Sequence, residues 1–263
     1  DGVSASGNRF FYVNRLSSAG DGRDLRWERA SLECCPPNLV RFLAWMPGYI
    51  YAQDPKGAIF VNLYASSETT FTVGGRKIGL SMQSEMPWGG KSKLTIASAD
   101  GVSAPIRFRI PGWARNQPVP GALYTYADKL TRTPGVSLNG KPVSAVPDRN
   151  GYVTIDRPWT TGDVVELDFP VEVRRVVSDR RVKENRGRMA IERGPIVYCA
   201  EWPEADEGKA LDLRIDPKSP LTPSVDKSLF GGVTVIQAEA RRLSRPSLPA
   251  KPVKLIPYYL WAN

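Results

Sequence analysis

Between Tyr49 and Phe169 apolar and polar positions alternate in short runs, while the stretch just ahead of it keeps a longer period. Leu39, Phe42, Leu43 and Met46 recur at i, i+3, i+4 and i+7, the spacing of one buried helix face. Pro36 and Pro37 suit a first helical turn, where a missing N–H costs nothing, and Pro47-Gly48 ends the helix. A residue before proline is pushed towards extended geometry, so Cys35 is expected just outside the helix, at its mouth. The Cys34-Cys35 pair then faces the positive end of a helix dipole, which favours thiolate over thiol. One amphipathic helix needs partners to cover its apolar stripe, so residues 1–50 read as the end of something larger.

The alternating region predicts strands. Ala58 to Tyr64 is one; Thr70–Val73 and Arg76–Leu80 flank Gly74-Gly75 as a hairpin. Lys93–Ala97 and Ile106–Ile110 follow, and Asn139-Gly140 marks a second tight turn between Val136–Leu138 and Lys141–Val143. Tyr152–Ile155 and Val164–Phe169, with Gly162-Asp163 between them, complete a first set. A second set comprises Val171–Val177, Gly187–Ile191, Pro195–Ala200, Val233–Ala240 and Val253–Ile256. The connection from Glu201 to Phe230, rich in Asp, Pro and Lys, is expected to be loop. Turn signals at this spacing argue for antiparallel sandwiches or barrels, with a boundary near residue 173 and no internal repeat.

Composition agrees: 23 Gly and 23 Pro fit a turn-rich β protein of 263 residues, and 41% hydrophobic side chains suffice for two cores. No apolar run reaches the length of a membrane helix. The start, Asp1-Gly-Val-Ser-Ala-Ser, has no initiator Met and no signal-peptide apolar core, which reads as a processed or excised piece. The net charge of +9 raises the question of nucleic acid. Its densest part, Arg174 to Arg193, sets eight basic residues against three acidic ones, yet no RNA-binding signature or recognition helix accompanies it. That stretch reads as a solvated strand face and loop, and neither nucleic acid nor membrane is expected as a partner.

Candidate chemistry is narrowed by what is missing. The chain has no histidine, which excludes Ser-His, Cys-His and His-metal sites built within it. Three cysteines, two of them adjacent, are no disulfide framework. Cys34 and Cys35 are open to three readings: ordinary buried thiols, a vicinal disulfide, or a reactive or metal-binding pair. Two thiolates are half of a tetrahedral zinc site, with Glu28 and Glu33 the nearest carboxylates. Cys199, within Ile-Val-Tyr-Cys-Ala, reads as a small apolar side chain in a sheet, and Arg193-Gly194-Pro195 as a turn before it. Trp88 and Trp113 sit in turn contexts as loop anchors or a sugar-stacking platform; Tyr12 and Asn14 could line a cavity near the cysteines.

Six motifs in order carry a resemblance: Glu-Cys-Cys-Pro-Pro-Asn at 33–38, Pro-Gly-Tyr-Ile-Tyr at 47–51 and Val-Asn-Leu-Tyr-Ala-Ser at 61–66. Arg-Ile-Pro-Gly-Trp-Ala at 109–114, Glu-Arg-Gly-Pro-Ile-Val-Tyr-Cys at 192–199 and Ile-Pro-Tyr-Tyr-Leu-Trp-Ala-Asn at 256–263 complete it. Together they resemble glycoside hydrolase family 127, the β-L-arabinofuranosidase family, over essentially the whole chain. The resemblance implies a retaining exo-enzyme with an N-terminal (α/α)6 barrel followed by two β-sandwich domains and a zinc-bound cysteine nucleophile. It places the nucleophile at Cys34 and zinc ligands at Cys34 and Cys35. A further Glu-x-Cys ligand pair and a glutamate acid/base belong to the family's barrel, and residues 1–33 contain no Glu-x-Cys. About fifty residues cannot build some twelve helices of ten or more residues each.

The expected fold is therefore mainly β: residues 1–50 a short helical remnant of the barrel, 51–173 a first antiparallel β-sandwich, and 174–263 a second. The expected function is that of the C-terminal part of a β-L-arabinofuranosidase, incomplete and inactive alone, acting on L-arabinofuranose-containing glycans once joined to its missing N-terminal barrel. The alternative is a non-catalytic carbohydrate-binding double sandwich. Exact sugar, linkage, oligomeric state and compartment have no signature in these residues.

Overall fold

A computed structural model describes residues 2–11, 25–28, 34–99, 101–201 and 210–262. The chain divides into two compact units, Ala44–Met189 and the combination of Asp1–Leu43 with Ala190–Asn263. Helix α1, Cys35–Trp45, is followed directly by a 3-10 turn, Met46–Tyr49.

The Ala44–Met189 unit is a β-sandwich. One sheet runs in the order β1 (Tyr51–Gln53), β2 (Ile59–Val61), β6 (Ser103–Arg109), β10 (Tyr152–Pro158). The other runs β3 (Ser67–Val73), β4 (Arg76–Ser84), β5 (Lys91–Ala99), β11 (Val164–Asp168), β8 (Gly135–Leu138), β9 (Lys141–Pro142). Pairing is antiparallel except for β2 beside β6. Alternation explains the core: Ile106 and Phe108 from one sheet, and Leu80, Met82, Leu94, Ile96, Val165 and Leu167 from the other, are essentially sealed from solvent. Trp159 closes one end, buried, its indole N–H donating to the Ala104 carbonyl at 2.8 Å.

Both glycine-marked hairpins form as expected. Gly74 and Gly75 have φ of 57° and 78°, and Asn139 and Gly140 of 50° and 74°, the left-handed pairs that a two-residue turn needs to match strand twist. The strand expected over Ala58–Tyr64 shortens to Ile59–Val61. Tyr64 leaves the ladder to bury its ring and donate its hydroxyl to the Arg109 carbonyl at 2.7 Å. β1 and β7 (Tyr124–Tyr126) were not anticipated; at three residues each they are too short to show a period.

The ribbon of β7 with β12 (Val173–Ser178) corrects the reading of the basic stretch as a solvated face. Arg174 is 2% exposed; its guanidinium lies over the Tyr126 ring, 3.4 Å from the centroid, and donates to the Asn116 side chain and the Trp113 carbonyl. Arg175 meets Asp128 at 2.8 Å. Clustered charge looks identical in sequence whether it is hydrated or paired, and here the aromatic and carboxylate partners lie about fifty residues upstream.

The other unit is a curled antiparallel sheet. β13 (Met189–Arg193) pairs with β14 (Ile196–Ala200), β14 with β18 (Lys251–Pro257), and β18 with β17 (Val233–Arg242). The free edge of β17 is shared by β15 (Leu213–Ile215) and β16 (Thr222–Asp226). Both lie in the segment expected to be loop. β15 is three residues long, too short to show a period, and β16 is almost wholly exposed, an edge strand held by its ladder and not by an apolar face. Residues 202–209 of that segment are outside the described residues.

Candidate functional site

The helix forms where its period predicts, but two expectations about it are corrected. Cys35 is the first helical residue, so Cys34 takes the position just outside. The bias against helical geometry before proline is a preference, and Asn38 ties this turn from within the helix. Its Nδ2 donates to the Cys34 carbonyl at 2.9 Å, while its Oδ1 accepts from the Arg41 guanidinium at 3.1 Å. The Arg41 bond fixes which end of the amide is which. Cys34 is exposed, at the end of a helix with no acidic residue in its first turn. Within that first turn no carboxylate offsets the positive end of the dipole.

The second correction concerns the apolar stripe. Leu39 is half-buried, but Phe42, Leu43 and Met46 are exposed, as are Val40, Trp45 and Tyr49. A run of this kind is covered in a stable protein or marks a contact surface.

Of the other candidates, Tyr12, Asn14, Glu33 and the Cys35 side chain lie outside the described residues. Glu28 forms an exposed ion pair with Arg9 at 2.9 Å. Cys199 is half-buried beside Val233, Val235 and Ile256, and burial, with Glu201 nearby, pushes its thiol up to about 12. That is an inert sheet thiol, as expected. Trp113 packs edge-on against Phe169 at 5.9 Å, a loop anchor. Trp88 is exposed in the β4–β5 turn. An open cleft of about 750 Å³ lies over the β4–β5–β11–β8 sheet, lined by residues such as Gln83, Glu85, Lys91, Lys93 and Glu166, with no aromatic among its lining. Sequence reasoning missed Arg26, which is 8% exposed and surrounded by backbone carbonyls. An arginine between Leu25 and Trp27 gave no signal.

A zinc site asks for four donors. Among the described residues no group of three or more His, Cys, Asp or Glu side chains could hold a metal ion. Cys34 is a donor of the right softness, but the described set is too small to hold zinc alone.

Fold and site together define a mainly β chain with a two-sheet sandwich, a second curled sheet, and an exposed thiol at the mouth of a short helix. The profile described as "Beta-L-arabinofuranosidase, GH127 middle domain" matches residues 58–171, and "Glycoside hydrolase family 127 C-terminal domain" matches residues 173–263. The chain belongs to glycoside hydrolase family 127. It is 29% identical over 294 aligned residues to a non-reducing end beta-L-arabinofuranosidase of Bifidobacterium longum subsp. longum, matching all of this chain and 41% of that protein. A solved GH127 beta-arabinofuranosidase shares 38% identity at a TM-score of 0.88, covering 100% of this chain and 41% of that one. A second, Ara127N-Se from Geobacillus stearothermophilus T6, shares 32% at 0.82, covering 100% and 42%. The chain thus spans about two fifths of the length of these relatives.

Proposed function

We propose that this chain is the C-terminal part of a retaining β-L-arabinofuranosidase in which Cys34 is the nucleophile. The observation that carries the reading is the exposed Cys34 at the positive end of α1, in a chain whose relatives bear that activity in their names. The exposed apolar stripe of α1 supports it as well, because it suits packing against the further helices of a catalytic barrel. The substrate would be a glycan ending in L-arabinofuranose.

In the first step the Cys34 sulfur attacks the anomeric carbon; a C–S bond forms as the glycosidic C–O bond breaks, and the leaving oxygen takes a proton from a general acid outside these 263 residues. Water then attacks the same carbon from the opposite face, giving its proton to the conjugate base, and the C–S bond breaks to return the thiolate. Two inversions give net retention. Cys34 and Cys35 are also proposed as two donors of a zinc site completed by side chains beyond this chain; zinc would hold the sulfur as thiolate. Asn38, bonded to the Cys34 carbonyl, orients the turn and performs no proton transfer.

The test uses the enzyme with its preceding region and an aryl β-L-arabinofuranoside. Cys34→Ala should lower kcat by about a thousandfold or more, and a slow fluorinated substrate should leave a glycosyl adduct on the peptide carrying Cys34. Near-normal turnover by Cys34→Ala, or an adduct elsewhere, overturns the assignment. The 263-residue chain alone should be inactive, and turnover by it would overturn that part.

A further inference from the structure

Arg26 lies eight residues ahead of Cys34 and is 8% exposed, deep for a guanidinium. Its Nε donates to the Ala262 carbonyl at 3.1 Å, and its Nη2 to the carbonyls of Trp261 at 2.6 Å and Tyr259 at 3.5 Å. Nη1 donates to the Gly2 carbonyl. The guanidinium plane rests 4.6 Å from the centre of the Phe11 ring, which is stacked on Trp261 at 4.9 Å. Glu201 stands close, accepting the Ala262 N–H at 2.7 Å. The next residue adds to the attachment: Trp27 exchanges backbone hydrogen bonds with Phe10 at 2.8 and 2.9 Å.

Residues 25–28 are thereby fastened both to 2–11 and to the C-terminal turn, and only residues 29–33 separate that anchorage from Cys34. Filling this space with hydrocarbon would avoid burying a charge. What hydrocarbon cannot do is donate to four carbonyls at once, which the several N–H groups of one arginine do here.

We propose that Arg26 is a positioning residue for Cys34: by gripping the carbonyls of Tyr259, Trp261 and Ala262 it fixes the point from which the cysteine turn departs. The proposal rests on the reading of Cys34 as nucleophile. In the enzyme with its preceding region, Arg26→Ala should lower kcat by about 10- to 100-fold with KM within about threefold, the scale of a misplaced reacting group. Arg26→Lys, a point charge without the fork, should recover little of this, and millimolar guanidinium should restore part of the Ala variant's rate. Arg9→Ala, which removes the exposed pair with Glu28, should change kcat by less than about twofold.

Alkylation of Cys34, followed by peptide mass spectrometry, should change in rate in the Arg26 variants while that of Cys199 does not. Wild-type kcat in folded Arg26→Ala or Arg26→Lys overturns the proposal. So does a loss that tracks a fall in Tm with Cys199 becoming reactive in step, because that is general unfolding. If Arg26→Ala does not fold, Arg26→Lys carries the test. Should Cys34→Ala remain active, the nucleophile reading fails by itself, whatever the Arg26 variants do.

Discussion

Two apolar stripes in this chain are equally legible and meet opposite fates. The alternating residues of β5, β6 and β11 disappear into the sandwich core, with Leu94, Ile106, Phe108 and Val165 all at 0% exposure. The helical stripe of α1 stays open, with Phe42 at 51% and Leu43 at 52%. Periodicity states which side chains seek cover, and says nothing about whether the covering surface is in the same chain. The strands are self-sufficient because each sheet supplies the other's partner; the helix has no such complement among the described residues.

That contrast is most readily broken in the core. Phe108→Ala should destabilise the chain by about 3–5 kcal/mol, through lost burial and the cavity left behind. Urea unfolding followed by tryptophan fluorescence measures it, and a loss below about 1 kcal/mol would mean this core is not the stabilising element. A smaller effect is expected at Asp163, 8% exposed at the turn into β11. The Asn139 amide at 2.8 Å, then the Thr160 N–H and Arg157, hold its carboxyl below the usual carboxylate range. Its folded pKa is depressed, so its contribution is present above pH 4 and fades as pH falls through the folded value. Asp163→Asn should cost about 1–3 kcal/mol at pH 7 and progressively less in acid. Parallel stability–pH curves for variant and parent would refute it.

Smallest should be Phe42→Ser in this chain, within about 0.5 kcal/mol, because the residue is already half exposed. A fall of several degrees in Tm would show that something within these 263 residues covers the helix. In the enzyme with its preceding region the same change should matter more.

The sequence was legible where one local signal decides one local geometry. Gly74-Gly75 and Asn139-Gly140 name their turns outright, and strict alternation in Ile106–Ile110 names its faces. It was misleading where the deciding partner is remote. Arg174 and Arg175 look like solvated charge until Tyr126, Asn116 and Asp128 come beside them. β16 has no apolar face to announce it, and is a strand only because β17 lies alongside. Of the site, Cys34 was visible because adjacent cysteines before two prolines are unusual at a helix start. Arg26 was not, since its role rests on backbone carbonyls, which no residue type encodes.

β9 closes the six-stranded sheet with only Lys141 and Pro142, one ring without an N–H and one charge that resists desolvation. An incoming strand finds hardly any ladder to continue there. That side of the sandwich is therefore protected against edge-to-edge growth into larger sheets, a safeguard written in two residues.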